Sequence, residues 1–269
     1  MAESPATTSV RKGVWLFPSA PAMRMVEAVI AAEQCGLDEI WLADEGVSRE
    51  PMAILAAAAA ETSSITLATG ITSPLLRHPG ALASTAMTID ELSGGRFRLG
   101  IGLGGGLSLD PFGIEVQRPV GVIKDALLTA RSVFDGQATQ HYGPPPHAAP
   151  PRRVGLWVGG RGPQIVRTAA RHGDGVFVSG CSPQQHDSIA ENARSVNPDV
   201  GLALYQSAAD VELDHCSTWD QVGPVLEAEA SRIRPSSVGI NLVDLNAGDH
   251  DPVELVRRAA QVLAQISSP

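Results

Sequence analysis

Short apolar runs recur along the chain, separated by longer segments in which apolar residues fall three and four positions apart. The runs lie at 13–17 (GVWLF), 38–43 (DEIWLA), 64–70 (SITLATG), 97–103 (FRLGIGL), 153–158 (RVGLWV), 175–178 (GVFV), 200–205 (VGLALY) and 237–243 (SVGINLV). Their length and their content of branched and aromatic residues predict buried strands. After each comes a turn and then a proline: Pro21, Pro51, Pro79, Pro119, Pro163, Pro183, Pro224 and Pro252. Proline suits the first helical position, where its missing N–H costs nothing, so most of these open a helix. The last shows the logic, with Asp251 as cap, Pro252 next, and Val253, Val256, Ala260 and Leu263 along one face. Pro224 is the exception: a helix is expected to begin near Ser217 and to break or restart at the proline.

Strand, turn and helix repeated eight times predict a single-domain α/β protein, a (β/α)8 barrel of TIM type over 12–269 behind a flexible tail, 1–11. A doubly wound open sheet is the rival. The stretch 143–152 (GPPPHAAPPR) reads as an extended connection between the fourth helix and the fifth strand.

Composition narrows the partners. A hydrophobic content of 43% against 18% charged residues fits a sizeable core, and a net charge of −9 argues against nucleic acid and anionic membrane surfaces. No apolar run reaches membrane-spanning length, and the opening MAESPATTSVRK has no apolar core of a signal peptide. Cys35, Cys181 and Cys216 are too scattered for a disulfide framework or a zinc site. A cytoplasmic protein acting on a small molecule is expected.

In such a barrel the chemistry lies where strands hand over to helices. The handovers offer Pro18-Ser19, Asp44-Glu45, Arg77-His78, the stretches GLGGGLSLDPFG, GGRGP and SGCSP, and Asp244 with Asn246. Reactive side chains are scarce. The only lysines, Lys12 and Lys124, fall in the tail and the fourth helix, which leaves no Schiff base at the mouth. His78 lacks the companions a catalytic zinc needs, and Ser179 and Cys181 have no histidine at matched spacing. A site with so few reactive groups points to a cofactor that carries the chemistry.

Two glycine-rich stretches fit that reading. After Val158, the residues Gly159, Gly160, Arg161 and Gly162 lead to Pro163 and a helix N-terminus, which makes a phosphate seat or simply a tight turn. Gly102-Leu103-Gly104 is no dinucleotide fingerprint, because position 107 is leucine. Those glycines are room for a ligand ring, or turn residues. Asp44 or Glu45 would face the mouth as an acid; alternatively Asp44 caps the second helix or pairs with Arg49, and Glu45 is solvated. Gly70, between two β-branched residues at a strand end, implies a turn or a close approach by a ligand or another segment.

Together these stretches resemble the bacterial-luciferase-like superfamily of flavin- and deazaflavin-dependent oxidoreductases, most nearly its methylenetetrahydromethanopterin reductase branch. The pieces that carry the resemblance are AAEQCGLDEIWLADE, TGITSPLLRHPGALA, LSGGRFRLGIG and VGGRGPQIVRTAARHGDG. The resemblance implies a TIM-type barrel, often dimeric, holding coenzyme F420 or FMN at its mouth. It also implies a non-proline cis peptide between Gly70 and Ile71 beneath the ring. The coenzyme phosphate would sit at Gly159, Gly160 and the N–H groups before Pro163, near Ser179 and Gly180. This chain departs from the pattern in three places. Asp44-Glu45 stand where sugar-phosphate dehydrogenases of this kind have Asp-His, Trp15 where the pterin reductases carry glutamate, and Gly104 to Gly106 where those enzymes often show an acid.

The function expected is hydride transfer between F420 and an organic substrate with a C=C, C=N or C=O bond. Asp44 and Glu45 are the acid candidates, and His78 a distant third. The alternatives are an FMN-dependent monooxygenase fed reduced flavin by a partner enzyme, a non-catalytic flavin-binding protein, and a sugar-phosphate isomerase or lyase.

Overall fold

Alternate residues of every strand turn inward, and the inward set decides how the sheet closes. The computed structural model describes residues 10–46, 48–138, 143–209, 216–243 and 250–267. Eight parallel strands form the barrel: β1 (Arg11–Leu16), β2 (Glu39–Leu42), β3 (Thr66–Thr69), β4 (Phe97–Ile101), β5 (Gly155–Gly159), β6 (Gly175–Ser179), β7 (Gly201–Ala209) and β9 (Ser237–Asn241). Pairing of β6 with β7 and of β9 with β1 closes the ring. A three-residue strand, β8 (Cys216–Thr218), pairs parallel with Ser207 to Ala209 beyond the end of β6.

The helices wrap the outside: α1 (Ala22–Gln34), α2 (Pro51–Glu61), α3 (Pro79–Leu92), the one-turn α4 (Gly106–Leu109), α5 (Pro119–Phe134), α6 (Pro163–His172), α7 (Pro183–Arg194), α8 (Trp219–Ile233) and α9 (Pro252–Ala264). Outward strand residues such as Val14, Ile40, Leu99, Leu156, Val176, Leu202 and Ile240 are fully buried against them. Six of the eight marker prolines open helices, and Pro21 sits one residue earlier, at the N-cap of α1. Asp251 caps α9 as expected, accepting from the N–H of Val253 at 2.8 Å.

Inside the ring are Trp41, Trp157, Phe177 and Tyr205, with Trp15 packed against them. Trp41 and Phe177 lie 4.6 Å apart between ring centroids, and Trp15 meets Phe177 edge-on at 5.3 Å. Beneath the aromatics, Glu39 is completely buried. Its carboxylate accepts from Arg98 (2.7 Å), Arg11 (3.3 Å), the Trp41 indole N–H (2.9 Å) and the Tyr205 hydroxyl (2.9 Å). Burial alone would push the Glu39 pKa up, but the Arg98 charge and the Trp41 N–H outweigh it and hold the carboxyl below its usual range.

Three expectations change. Arg11 and Lys12, both read as tail, lie in β1, where Arg11 bonds to Glu39 and Thr66. β7 runs on to Ala209 because β8 and β9 both pair with its upper half. Helix α8 does not break at Pro224. It begins at Trp219, where the Gln221 side chain accepts from the N–H of Thr218 at 3.1 Å, and it runs through the proline to Ile233. The proline removes a single ladder bond, while Trp219, Val222, Leu226 and Ala230 are buried on both sides of it.

A second buried ion pair joins α7 to α8. His186 Nδ1 lies 2.6 Å from Glu229 Oε1, and neither side chain is more than 2% exposed. Burial favours the neutral ring, but hydrogen bonds to Cys181 and Glu229 dominate and raise its pKa to about 9. Cys181, five residues before His186, adds to this shift across the turn into α7.

Two predictions follow from these pairs. Glu39→Gln leaves Arg98 uncompensated and should lower unfolding stability by about 3–5 kcal/mol in urea titrations at neutral pH. Because the folded-state pKa of Glu39 is depressed, this difference should shrink as pH falls below about 4.5 and the wild-type carboxylate takes up its proton. The His186 contribution has the opposite sign. Its folded pKa is raised, so the stabilisation is complete below about 6.5 and fades as pH rises through about 9. The wild-type Tm should drop across that window, and the Tm of His186→Gln, lower at the start, should stay flat.

Candidate functional site

The sheet is irregular at one point on its C-terminal rim. Ala68 pairs with Arg98 and Thr72 with Ile101, so Thr69, Gly70 and Ile71 lie opposite only Leu99 and Gly100. The extra residue makes a bulge. Thr69 steadies it, its hydroxyl exchanging hydrogen bonds with the Gly100 N–H (2.9 Å) and carbonyl (3.0 Å). The Gly70–Ile71 peptide is cis, as the resemblance implied.

What approaches Gly70 is the chain itself. A Cβ there would lie 2.9 Å from the Cβ of Trp41 and 3.1 Å from the indole of Trp15. The Ile71 side chain then wedges between two further glycines. A Cβ on Gly102 would come within 2.6 Å of Ile71 Cδ1, and one on Gly159 within 2.6 Å of Ile71 Cγ2. Gly102 is therefore room for Ile71 and not for a ligand ring. The Gly159 space has the same owner, and Gly160 makes way for Ile165.

Above the bulge lies a cavity of about 390 Å³. Gly70, Ile71 and Trp15 form one side, Gly104 and Ser108 another, and Gly159, Gly160, Arg161 and Gly162 a third, with Asp44 and Glu45 at the edge. A smaller cavity of about 160 Å³ adjoins it across Gly159 to Arg161 and reaches Phe177 and Ser179. Most of the expected site residues thus meet in one place. Three do not line either cavity. Val158 turns outward into the core, Gly102 stands behind Ile71, and Gly180 lies below Arg161 with its N–H bonded to the Tyr205 carbonyl at 3.3 Å. Asp244 and Asn246 lie outside the described residues.

The two acids have different surroundings. Asp44, 7% exposed, accepts from the Thr72 hydroxyl at 2.6 Å and from Arg77, whose other arm donates to Glu50 at 2.6 Å. It neither caps α2, a role taken by Glu50, nor pairs with Arg49, which donates to the Ser19 carbonyl. Glu45 is half-buried on the cavity wall, where one carboxylate oxygen accepts from Ser108 at 2.9 Å. His78 is exposed and engaged in capping α3, accepting from the Gly80 N–H at 3.1 Å. Thr72, Ser108 and Ile165 escaped the sequence reading. Trp15 was noticed only as a replacement, although its alternation with Gly13 on β1 already turns it inward.

The glycine loop has the fittings of an anion seat. The Ser179 hydroxyl is buried at the smaller cavity without a hydrogen-bond partner among the described residues. Arg161 is exposed and has no carboxylate partner among the described residues. Helix α6 starts at Gly162 with no side-chain cap, which leaves its first N–H groups free at the loop. These residues fit the phosphate-bearing side of a flavin-type coenzyme.

Residues 6–201 match the family model described as luciferase-like monooxygenase. The chain belongs to this family. A 5,10-methylenetetrahydromethanopterin reductase of Methanolobus tindarius is 29% identical over 206 residues, which is 72% of this chain and 63% of that protein. The match therefore spans less than two thirds of that relative's length. Among solved structures, the coenzyme F420 dependent tetrahydromethanopterin reductase of Methanopyrus kandleri aligns with a TM-score of 0.78 at 19% identity, covering 96% of this chain and 99% of that one. The oxygenating component of 3,6-diketocamphane monooxygenase from Pseudomonas putida, in complex with FMN, aligns at 0.73 and 13% identity, covering 97% and 100%. These two likenesses speak for the fold.

If the Gly159 space belongs to Ile71, the two positions should be energetically coupled. Gly159→Ala alone should destabilise by about 1–3 kcal/mol through overpacking. In an Ile71→Ala background the same change should be nearly neutral, and a double-mutant cycle in urea measures the difference.

Proposed function

We propose that this chain is an oxidoreductase that moves hydride between coenzyme F420 and an organic substrate carrying a C=C, C=N or C=O bond. The observation that carries this reading is the pairing of the Ile71 bulge with an anion seat at the glycine loop. The cavity above the bulge adjoins a buried Ser179 hydroxyl without a hydrogen-bond partner and an Arg161 without a carboxylate partner, both among the described residues. F420 is preferred because the pterin reductases, one of them named for that coenzyme, are among the relatives found by sequence and by fold. The deazaflavin ring supplies or accepts the hydride when bound.

The protein's own groups bind, orient and protonate. Ser179, Arg161 and the free N–H groups of α6 hold the anionic tail. Ile71, seated between Gly102 and Gly159, gives the ring a fixed floor, and the aromatic plug beneath it keeps water from entering from below. Glu45 is the proton donor: it lines the cavity, and Ser108 engages only one of its two oxygens. Asp44, bound by Thr72 and Arg77, is a positioning residue that ties the bulge to β2.

A second reading, FMN-dependent monooxygenation, is favoured by the FMN complex that shares this fold. Fluorescence titration of the apoprotein with F420 and with FMN separates the two. Saturable binding of F420 alone supports the proposal, binding of FMN alone supports the second reading, and binding of neither overturns both. Ser179→Ala and Arg161→Ala should each weaken coenzyme binding. Glu45→Gln should leave it intact and slow turnover by about 10²–10⁴-fold.

A further inference from the structure

A third cavity, of about 260 Å³, opens on the far side of Asp44 from the glycine loop. Leu75 and Leu76, from the turn after the bulge, form one wall, and Phe112 and Ile114, beyond α4, form the other. Arg77 lies among them, so at first sight the cavity offers a cation. That charge is already answered. One arm of Arg77 donates to Glu50 and the other to Asp44, two carboxylates on a single guanidinium, with Thr72 as a third acceptor at 3.0 Å. Phosphate or carboxylate entering here would meet a surplus of negative charge and no free cation among the described lining residues.

The apolar walls continue outward. Of the six large apolar side chains exposed among the described residues, three (Leu107, Phe112 and Val116) fall within the stretch 107–116 that supplies Phe112 and Ile114 to the cavity wall. Phe112 is 51% and Leu107 80% exposed, contact area that a bound apolar body would cover. Asp44 borders both this cavity and the one above the bulge. A molecule lying between Leu76 and Phe112 therefore ends beside the surface assigned above to the coenzyme.

We infer that this third cavity is the substrate's subsite and that it takes a predominantly apolar, uncharged or cationic organic molecule, excluding phosphorylated and carboxylated ones. The inference rests on the neighbouring cavity being the coenzyme's, but its test does not need a coenzyme. The probe is 1-aminoanthracene, a neutral aromatic amine whose emission shifts to the blue in apolar surroundings, titrated into the apoprotein. Saturable binding is expected, with displacement by 1-octanol and none by glucose 6-phosphate. A carboxylate on either wall would be unpaired, so Leu76→Asp and Phe112→Asp should each weaken probe binding at least about ten-fold. Leu76→Met should keep binding within about two-fold, and all three variants should retain the wild-type response to the coenzyme that binds. Unchanged probe binding in both aspartate variants, or displacement by glucose 6-phosphate, overturns the assignment. If wild-type protein binds neither F420 nor FMN but the probe results hold, the coenzyme reading fails and the apolar subsite stands.

Discussion

The interior of this barrel is too narrow for its aromatic residues unless neighbouring strands give up their side chains, and that constraint shapes everything above it. A Cβ on Gly175 would sit 2.4 Å from the Trp157 ring, and one on Gly201 2.7 Å from it. Tyr205 makes the same demand of Gly13 and Gly239, at 2.3 Å and 2.2 Å. Trp157 on β5 and Tyr205 on β7 are thus matched by glycine on the strands around them, which lets their rings share the barrel interior with Trp15, Trp41 and Phe177. The barrel becomes a solid floor. Ile71 between Gly102 and Gly159 repeats the device one layer higher, where the floor meets solvent. The functional surface is consequently shallow, set by loops, and rigid underneath.

Two arginine–carboxylate networks bracket that floor. Below it, Glu39 collects Arg98, Arg11, Trp41 and Tyr205, so the one carboxylate inside the barrel has its lone pairs engaged. Above it, Asp44 collects Arg77 and Thr72. Both serve to hold strands in register, and both are fixed by partners from distant parts of the chain. Glu45 differs in having, among the described residues, a single hydrogen-bonding neighbour, a hydroxyl, and a place on the cavity wall. Adjacent in sequence, the two acids are separated in role by what reaches them.

That contrast marks what could be read from the sequence. The eight strands were legible because buried parallel strands are continuous apolar runs, and the helix starts because proline at the first position is a local signal. The expectation of a closed single-domain barrel holds. β8 was invisible, since Cys216-Ser217-Thr218 has no apolar run and owes its strand geometry to β7. The continuity of α8 through Pro224 was equally hidden, because burial of its flanking residues outweighs a local breaker. At the mouth, Gly70, Gly104, Gly159, Gly160 and Gly162 meet at one cavity, but Gly102 and Gly180 do not line it, and what fills the room beside a glycine was not legible. Local sequence states that a side chain is absent at Gly102 or Gly159. Only the fold states that Ile71 occupies the room. Arg77 reaches Asp44 across 33 residues and Glu229 reaches His186 across 43, and no spacing rule connects them.

The mouth of the barrel is divided by charge. On the β5–β6 side, among the described residues, Arg161 has no carboxylate, the Ser179 hydroxyl has no partner, and α6 begins without a side-chain cap. On the β2–β3 side, Arg77 is compensated by both Asp44 and Glu50, and the surroundings turn apolar at Leu75, Leu76 and Phe112. An anionic molecule gains by settling on the first side and loses by entering the second, whereas an apolar molecule without negative charge has the reverse preference. The Ile71 bulge lies along the border. Two different molecules placed by these opposite preferences would meet over it, which is the arrangement a transfer between coenzyme and substrate requires.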